Sequence, residues 1–297
     1  MLLITGVLNL LKGKKKLMIR ERIADNVYWF QSEVYAQVTA GAIIGPEWVM
    51  VIDTLAIPEE TLEMRSYIED SLNVPVRYVV NTIYHADHTF GNYFFPGATI
   101  IAHTLCRKMM AENNMETLEN AKAQDLEFKK IDHIVLPDVT IDEGTLTIQI
   151  GKRKVDIFPS PGASPDGISV LIKEDRVLFA GDAFLPVPNV VEGDVGRLKE
   201  TIQSYSEMGL ENIVQGHGDV ILRGEIDHAC QSNIDYLENI QKYAQKASKR
   251  KEPLAVLEEA TLLECGKSRV LLAGLVEELH QRNLSVLYQR EMRTNEK

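Results

Sequence analysis

Cysteine is scarce in this 297-residue chain, and its placement excludes two classes of structure. The three cysteines, Cys106, Cys230 and Cys265, are far apart, odd in number and never part of a Cys-x-x-Cys pair. A disulfide framework needs an even, dense set of cysteines, and a cysteine-rich zinc knuckle needs close pairs. Neither is expected here, and the composition fits a protein of the reducing cytoplasm.

Basic residues are also in the minority. Lysine and arginine total 32 against 43 aspartates and glutamates, which gives a formal net charge of −11. Affinity for nucleic acid depends on basic side chains that neutralise phosphates. We therefore expect no nucleic-acid partner.

The chain has no apolar run long enough to span a bilayer, which takes roughly 20 residues. Its apolar start ends at Leu11, and four lysines between positions 12 and 16 follow it. A secretory signal carries its charges before the apolar run. A short amphipathic segment that touches a membrane is an alternative. We expect a poorly ordered tail over residues 1–17 and no membrane contact, and Met18 offers a second start codon position.

What the chain does contain is an alternation of strand and helix patterns from Ile23 to Leu222, followed by helices alone. Strand-like segments are short and rich in β-branched and aromatic residues, whereas helical segments repeat apolar residues every three or four positions. The predicted helices cover residues 58–72, 104–126, 195–208, 225–249, a segment from Pro253 to Gly266, and a segment from Ser268 to about Arg290. We expect one domain over residues 18–222, with residues 223–297 as a helical extension packed on it.

Histidines and aspartates gather directly after three of the predicted strands. The segment "NTIYHADHTFGN" contributes His85, Asp87 and His88, "VLFAGD" contributes Asp182, and "IVQGHG" contributes His217. Taken singly, each has a plain structural explanation: a structural histidine, a helix-capping aspartate or a turn residue. Together at strand ends, where ligands converge in α/β folds, they indicate a site for zinc, manganese or iron.

Five segments in order resemble the metallo-β-lactamase superfamily, the four-layer αβ/βα hydrolases that include glyoxalase II and lactonases. They are "VMVIDT" with Asp53, "NTIYHADHTFGN", "SPGASPDG", "VLFAGD" and "IVQGHG". The resemblance runs from about Ile23 to Leu222. It implies an α/β fold, the four-layer αβ/βα sandwich, with a C-terminal helical extension.

The same resemblance implies a complete second metal site and an incomplete first one. Its second-site ligands match Asp87, His88 and His217, and its bridging aspartate matches Asp182. The family's first site uses three histidines from His-x-His-x-Asp-His and Pro-Gly-His-Thr. Here Ile83 and Ala163 occupy two of those three positions, and only His85 remains. Asp53 is expected to orient the metal loop from behind the ligands.

One divalent ion is therefore expected, with zinc first and manganese or iron as alternatives. The predicted function is single-metal hydrolysis of a small ester, thioester, lactone or amide. His85 and Asp87 are the expected catalytic residues, with His85 as general base or as hydrogen-bond donor to substrate. Ile83 and Ala163 either form an apolar wall for an acyl group or fill a vacated hole.

Two other functions stay open: a non-catalytic metal-binding or regulatory protein, and a mononuclear iron oxygenase. The oxygenases of the family use the first-site histidines that this chain lacks. The helical extension is expected to cover the mouth of the pocket or to form a homodimer, by analogy with the family.

Overall fold

Two β-sheets face each other in the computed structural model, which describes residues 18–295. The predicted N-terminal tail over residues 1–17 lies outside the described residues. The first sheet has seven strands in chain order, antiparallel from β1 to β4 and parallel from β4 to β7. These strands are β1 (Ile19–Ala24), β2 (Val27–Gln31), β3 (Thr39–Ile44), β4 (Val49–Ile52), β5 (Val76–Val80), β6 (Thr99–His103) and β7 (Val139–Ile141).

The second sheet has six strands in the order β13-β12-β11-β10-β9-β8. Its neighbouring strands are antiparallel except for β11 and β12, which run parallel. The strands are β8 (Leu146–Ile150), β9 (Arg153–Pro159), β10 (Ile168–Ile172), β11 (Val177–Gly181), β12 (Asn212–Gln215) and β13 (Ile221–Leu222). The two hairpins expected at Gly151 and at residues 173–176 are both present.

Helices cover the outer face of each sheet. They are α1 (Pro58–Ser66), α2 (Ala86–Thr89), α3 (Thr104–Gln124), α4 (Val195–Glu207), α5 (Ile226–Ser248), α6 (Pro253–Glu259) and α7 (Val276–Asn295). A π-helical turn, Tyr67–Ser71, extends α1, and short 3-10 turns cover Phe90–Phe94, Leu126–Lys130 and Leu271–Gly274.

Three hydrophobic clusters separate these layers. Between the sheets lie apolar side chains of both, such as Met50 and Phe179. Met64 of α1 and Leu118 of α3 pack on the outer face of the first sheet. Residues of α4, α5 and α7 pack on the outer face of the second sheet. The order helix, sheet, sheet, helix confirms the four-layer αβ/βα architecture, and α5 to α7 form the C-terminal helices.

The helix boundaries predicted after residue 250 are wrong. The second helix of the extension ends at Glu259 and not at Gly266, and the third begins at Val276 and not at Ser268. Between them the backbone turns repeatedly, with φ of 46° at Leu272 and 92° at Gly274. These left-handed conformations cannot continue an α-helix, so the local cap and turn signals did not set the boundaries. No helix among residues 18–295 is both long and apolar enough to cross a membrane.

Candidate metal centre

The four predicted ligands and His85, the expected catalytic histidine, meet where strands of both sheets end. His85 precedes α2, and Asp87 and His88 lie within it, just after β5. Asp182 directly follows β11, and His217 follows β12. Because β11 and β12 are parallel, their carboxyl ends lie side by side, and the loop after β5 approaches them from the other sheet. Residues distant in sequence thereby converge on one point.

The ligand atoms of Asp87, His88 and His217 all lie within 4.8 Å of one another. His217 Nε2 is 3.3 Å from Asp87 Oδ2 and 3.7 Å from Asp182 Oδ1. His88 Nε2 is 3.3 Å from the same Asp182 Oδ1. A Cβ at Gly216 would come within 2.2 Å of that oxygen, so only glycine fits beside it.

Each of the two imidazoles is held from its far side. His88 Nδ1 donates to Asp53 Oδ2 over 2.9 Å, and His217 Nδ1 donates to the Ala36 carbonyl over 2.9 Å. Thr82 fixes Asp53 in turn, through its backbone N–H over 2.7 Å and its hydroxyl over 2.6 Å. Protons on both Nδ1 atoms leave both Nε2 lone pairs directed at the shared centre, which is how metal-binding histidines are commonly oriented.

Two buried polar atoms at this centre have no hydrogen-bond partner among the described residues: His88 Nε2 and Asp182 Oδ1. They face each other across 3.3 Å without the alignment of a hydrogen bond. Leaving a buried polar group unsatisfied costs about 1–3 kcal/mol. A divalent cation between them would satisfy both atoms, and two imidazole nitrogens with two carboxylates are an ordinary donor set for zinc, manganese or iron. The residues present fit a metal ion.

The charges in the cluster stabilise one another. Burial on its own would raise the pKa of Asp182, but the imidazoles of His88 and His85 hold that pKa well below its usual range. Burial likewise opposes a charge on His217, and the hydrogen bond to Asp87 outweighs it and raises the pKa of His217. In the metal-free protein these imidazoles therefore retain protons to higher pH than free histidine.

The ring of His85 lies between the carboxylates of Asp182 and Glu192. Its Nδ1 is 3.3 Å from Asp182 Oδ2, and its Nε2 is 3.3 Å from Glu192 Oε2. The Tyr84 hydroxyl also donates to Glu192 Oε2, over 2.8 Å. Burial lowers the pKa of His85, but the hydrogen bonds to Asp182 and Glu192 prevail and raise it to about 10. A doubly protonated ring satisfies both contacts.

Glu192 and Tyr84 are contacts that the sequence motifs did not reveal. Glu192 belongs to the irregular loop between β11 and α4, where neither periodicity nor spacing marks a functional residue. Tyr84 lies inside the recognised segment, but its position there carries no ligand. Its backbone N–H donates to Asp166 Oδ2 over 2.7 Å, which joins the metal loop to the "SPGASPDG" segment.

Ile83 and Ala163 are both buried, with 1% and 3% of their surface exposed. Ala163 belongs to the cluster that includes Leu198 of α4. The described residues that line the cavity beside the candidate ligands do not include Ile83 or Ala163. Of the two interpretations, the filling of a vacated position agrees with this burial, and an apolar wall for an acyl group stays a prediction.

A cavity of about 250 Å³ opens onto the candidate metal centre. Its lining combines the site residues with side chains from the C-terminal extension. The site residues are His85, Asp87, Asp182, Glu192 and His217, and the extension contributes Leu272, Leu275, Val276, Leu279 and Arg282. The extension thus forms part of the pocket wall, which agrees with one of the two expectations for it.

Helix α7 also fixes the loop that carries Glu192. Asn283 accepts from the backbone N–H of Val190 over 3.0 Å and donates to the Pro188 carbonyl over 2.8 Å. Arg290 donates to the carbonyls of Val191 and Gly193 over 3.0 Å and 2.8 Å. The loop that brings Glu192 to His85 is therefore held by side chains of the C-terminal helix.

Two curated animal proteins are similar to this chain in sequence. A curated protein of Caenorhabditis elegans, "Beta-lactamase-like protein 2 homolog", is 24% identical over 189 residues, which are 64% of this chain and 54% of that protein. The match thus spans about half the length of the worm protein. The human "Acyl-coenzyme A thioesterase MBLAC2" is 24% identical over 226 residues, covering 66% of this chain and 79% of the human protein.

Solved structures share the fold. A metallo-beta-lactamase from Pontibacter korlensis superposes with a TM-score of 0.60 at 21% identity, over 75% of this chain and 99% of that one. The sequence model of the metallo-beta-lactamase superfamily matches residues 35–223, which include every candidate ligand. With its fold, its ordered motifs and this match in agreement, the chain belongs to the metallo-beta-lactamase superfamily.

Proposed function

We propose that this protein is a hydrolase with a single divalent ion held by Asp87, His88 and His217, and with Asp182 as the fourth ligand. The observation that carries the proposal is the pair of buried atoms without partners, His88 Nε2 and Asp182 Oδ1, which face each other at 3.3 Å. The Nδ1 contacts of His88 and His217 support it, since they direct both lone pairs at the same point.

A single ion is favoured because the first-site positions offer too few ligands. Ile83 and Ala163 have no donor atoms, and both ring nitrogens of His85 already face carboxylates. A bound divalent ion would supply Lewis acidity and lower the pKa of a water molecule. Two carboxylate ligands would cancel its formal charge and weaken that acidity. Zinc is the proposed ion, with manganese and iron as alternatives.

Hydrolysis joins the oxygen of water to the acyl carbon, breaks the bond to the leaving atom, and delivers one proton to that atom. His85 lines the cavity, and the two carboxylates beside its ring, Asp182 and Glu192, favour its protonated form, which supports it as the source of that proton. Asp87 Oδ2 and His217 Nε2 lie 3.3 Å apart at the same centre. His85 is thus proposed as the general acid. This role differs from that of general base, which is one of the two roles expected of a neutral His85 ring.

The substrate class proposed is a small ester, thioester, lactone or amide. The human relative named as an acyl-coenzyme A thioesterase supports the thioester within this class. A cytoplasmic location is proposed from the three free, buried cysteines. A homodimer through the C-terminal helices stays a prediction.

Metal analysis of the purified protein beside Asp87→Ala and His88→Ala tests the proposal. The exposed His133, far from the cluster in sequence, provides the matched control His133→Ala. We expect one ion per chain in the wild type and the control, and a loss of most of it in both ligand variants. Full occupancy in either ligand variant would contradict the assignment.

Turnover is tested separately on a panel of esters, thioesters, lactones and amides, with and without a chelator. Hydrolysis that the chelator abolishes and the metal restores supports the hydrolase. A bound ion without turnover on the whole panel identifies the non-catalytic alternative. Bound iron with oxygen consumption identifies the oxygenase.

A further inference from the structure

The cavity beside the candidate metal centre has an apolar side that comes from the C-terminal extension. Leu272, Leu275, Val276 and Leu279 line the cavity together with the polar residues of the metal loop. All four lie beyond residue 223, where the match to the superfamily ends. This side of the pocket is therefore a property of this chain that the family motifs do not determine.

Arg282 lines the same cavity, one helical turn after Leu279 on α7. Within residues 18–295 its side chain has no hydrogen-bond or ion-pair partner, and it is partly buried. Arg290, two turns further along the same helix, donates to two backbone carbonyls instead. A guanidinium that lines a pocket without a partner is available to a ligand.

The acidic groups around this cavity are already engaged. Asp87 faces His217, Asp182 faces His88 and His85, and Glu192 accepts from Tyr84 and faces His85. Among the described residues that line the cavity, Arg282 is thus the charged side chain left without a counter-charge. Pairing it with an anion completes the electrostatics of the pocket.

We propose that Arg282 binds an anionic group, a carboxylate or a phosphate, on a substrate whose apolar chain packs against Leu272, Leu275, Val276 and Leu279. The inference rests on the proposed function and narrows its substrate class to small acyl compounds that carry a negative charge. The volume of about 250 Å³ agrees with a small substrate, because pockets for drug-sized ligands range from roughly 300 to 1,000 Å³.

Two 4-nitrophenyl esters of equal length test the charge. The hexanoyl ester ends in a methyl group, and the mono-ester of adipic acid ends in a carboxylate at the same place. We expect the wild type to prefer the adipoyl ester. Arg282→Gln should raise KM for the adipoyl ester by about 10-fold or more, and it should raise KM for the hexanoyl ester much less. Arg282→Lys should restore part of the preference.

Arg293→Gln is the matched control, because Arg293 lies on the same helix, is exposed and does not line the cavity. An adipoyl-to-hexanoyl KM ratio that is equal in the wild type and in Arg282→Gln would overturn the proposal. The thermal stability of each variant is measured in parallel, and Arg282→Lys keeps the comparison valid if Arg282→Gln is poorly folded.

Calorimetric binding of adipate, hexanoate and hexyl phosphate to the protein as purified separates this inference from the proposed hydrolysis. Adipate that binds more tightly than hexanoate, with the difference lost in Arg282→Gln but kept in Arg293→Gln, supports the anion site even if no ester is hydrolysed. Equal affinities for adipate in the wild type and Arg282→Gln overturn it. If hexyl phosphate binds more tightly than adipate, phosphate is the anionic group that the site prefers.

Discussion

His88 Nε2 and Asp182 Oδ1 lie 3.3 Å apart in the protein interior, and neither forms a hydrogen bond with any described residue. The opposite nitrogen of His88 is fully engaged with Asp53. One edge of the His88 ring is thus fixed by a hydrogen bond, and the other edge lies against an Asp182 oxygen that has no partner among the described residues. A bound cation requires this arrangement.

Asp53 should determine metal affinity although it is not a proposed ligand. Asp53→Ala removes the acceptor that keeps the proton on Nδ1 of His88, so we expect the affinity for zinc to fall by about 10–100-fold. Competition with a chromophoric chelator measures the affinity. Asp142→Ala, at an exposed aspartate distant from the site, should leave it unchanged. Wild-type affinity in Asp53→Ala would show that the Asp53 contact does not orient a ligand.

Metal affinity should rise with pH. In the metal-free protein burial opposes protonation, but neighbouring carboxylates prevail and raise the pKa of both His88 and His217. A metal ion must displace those protons, so each proton released makes the affinity increase about tenfold per pH unit below the raised pKa. Calorimetry in buffers of different ionisation enthalpy counts the protons. An affinity that is constant from pH 6 to pH 8 would contradict the prediction.

Restoring both lost histidines should not restore a second ion. Ile83 and Ala163 are buried away from the cavity lining, and Ala163 packs in the cluster of Leu198. We expect the Ile83→His, Ala163→His double variant to bind one ion still and to lose about 1–3 kcal/mol of stability, because the larger side chain at position 163 would overpack its site and the ring at position 83 would bury polar nitrogens. Metal analysis and urea unfolding, with both single variants as controls, measure these effects. Two ions per chain would show that the first site is open.

Glu60 should make the fold less stable as the pH rises. Its side chain is 5% exposed, Ser32 donates to one carboxylate oxygen, and the other oxygen is buried without a partner among the described residues. Burial raises the pKa of Glu60 from 4.5 to about 7. At a pH between these two pKa values, Glu60 therefore keeps a proton in the folded protein that it has lost in the unfolded chain. The free energy of unfolding decreases as the pH rises through this window.

Glu60→Gln removes that ionisation and should stabilise the protein at pH 8 by on the order of 1–3 kcal/mol. At pH 4, below both pKa values, the two proteins should differ much less. Urea unfolding at both pH values measures the difference, and the exposed Glu258→Gln serves as the control. A stabilisation of equal size at both pH values would mean that the charge of Glu60 is not its cause.

The parts of this protein that the sequence predicts are those that local patterns encode. Runs of β-branched residues indicate the strands, and His85, Asp87 and His88 lie within one short segment. Asp182 and His217 were predictable because each directly follows a strand. Knowledge of the family's ligand order then assigned Ile83 and Ala163 to vacated positions, which composition and periodicity alone could not do.

What stayed hidden depends on contacts between distant segments. Glu192 contacts His85 from a loop that Asn283 and Arg290 hold from the far end of the chain. Arg282 is one of several basic residues on α7, and its place at the cavity follows from how that helix docks. The start of α7 was missed for a similar reason, since Leu272 adopts a left-handed backbone that no local signal predicts.

The dependence of the pocket on α7 has a consequence for synthesis. A ribosome produces the proposed metal ligands, at positions 87 to 217, before it produces Leu279, Arg282 and Arg290. The strands that the structure describes all end by Leu222, so they too are synthesised before α7 begins at Val276. The residues proposed to hold the ion therefore precede in synthesis the helix that completes the wall of the pocket, and the pocket has its full lining only once that last helix has docked.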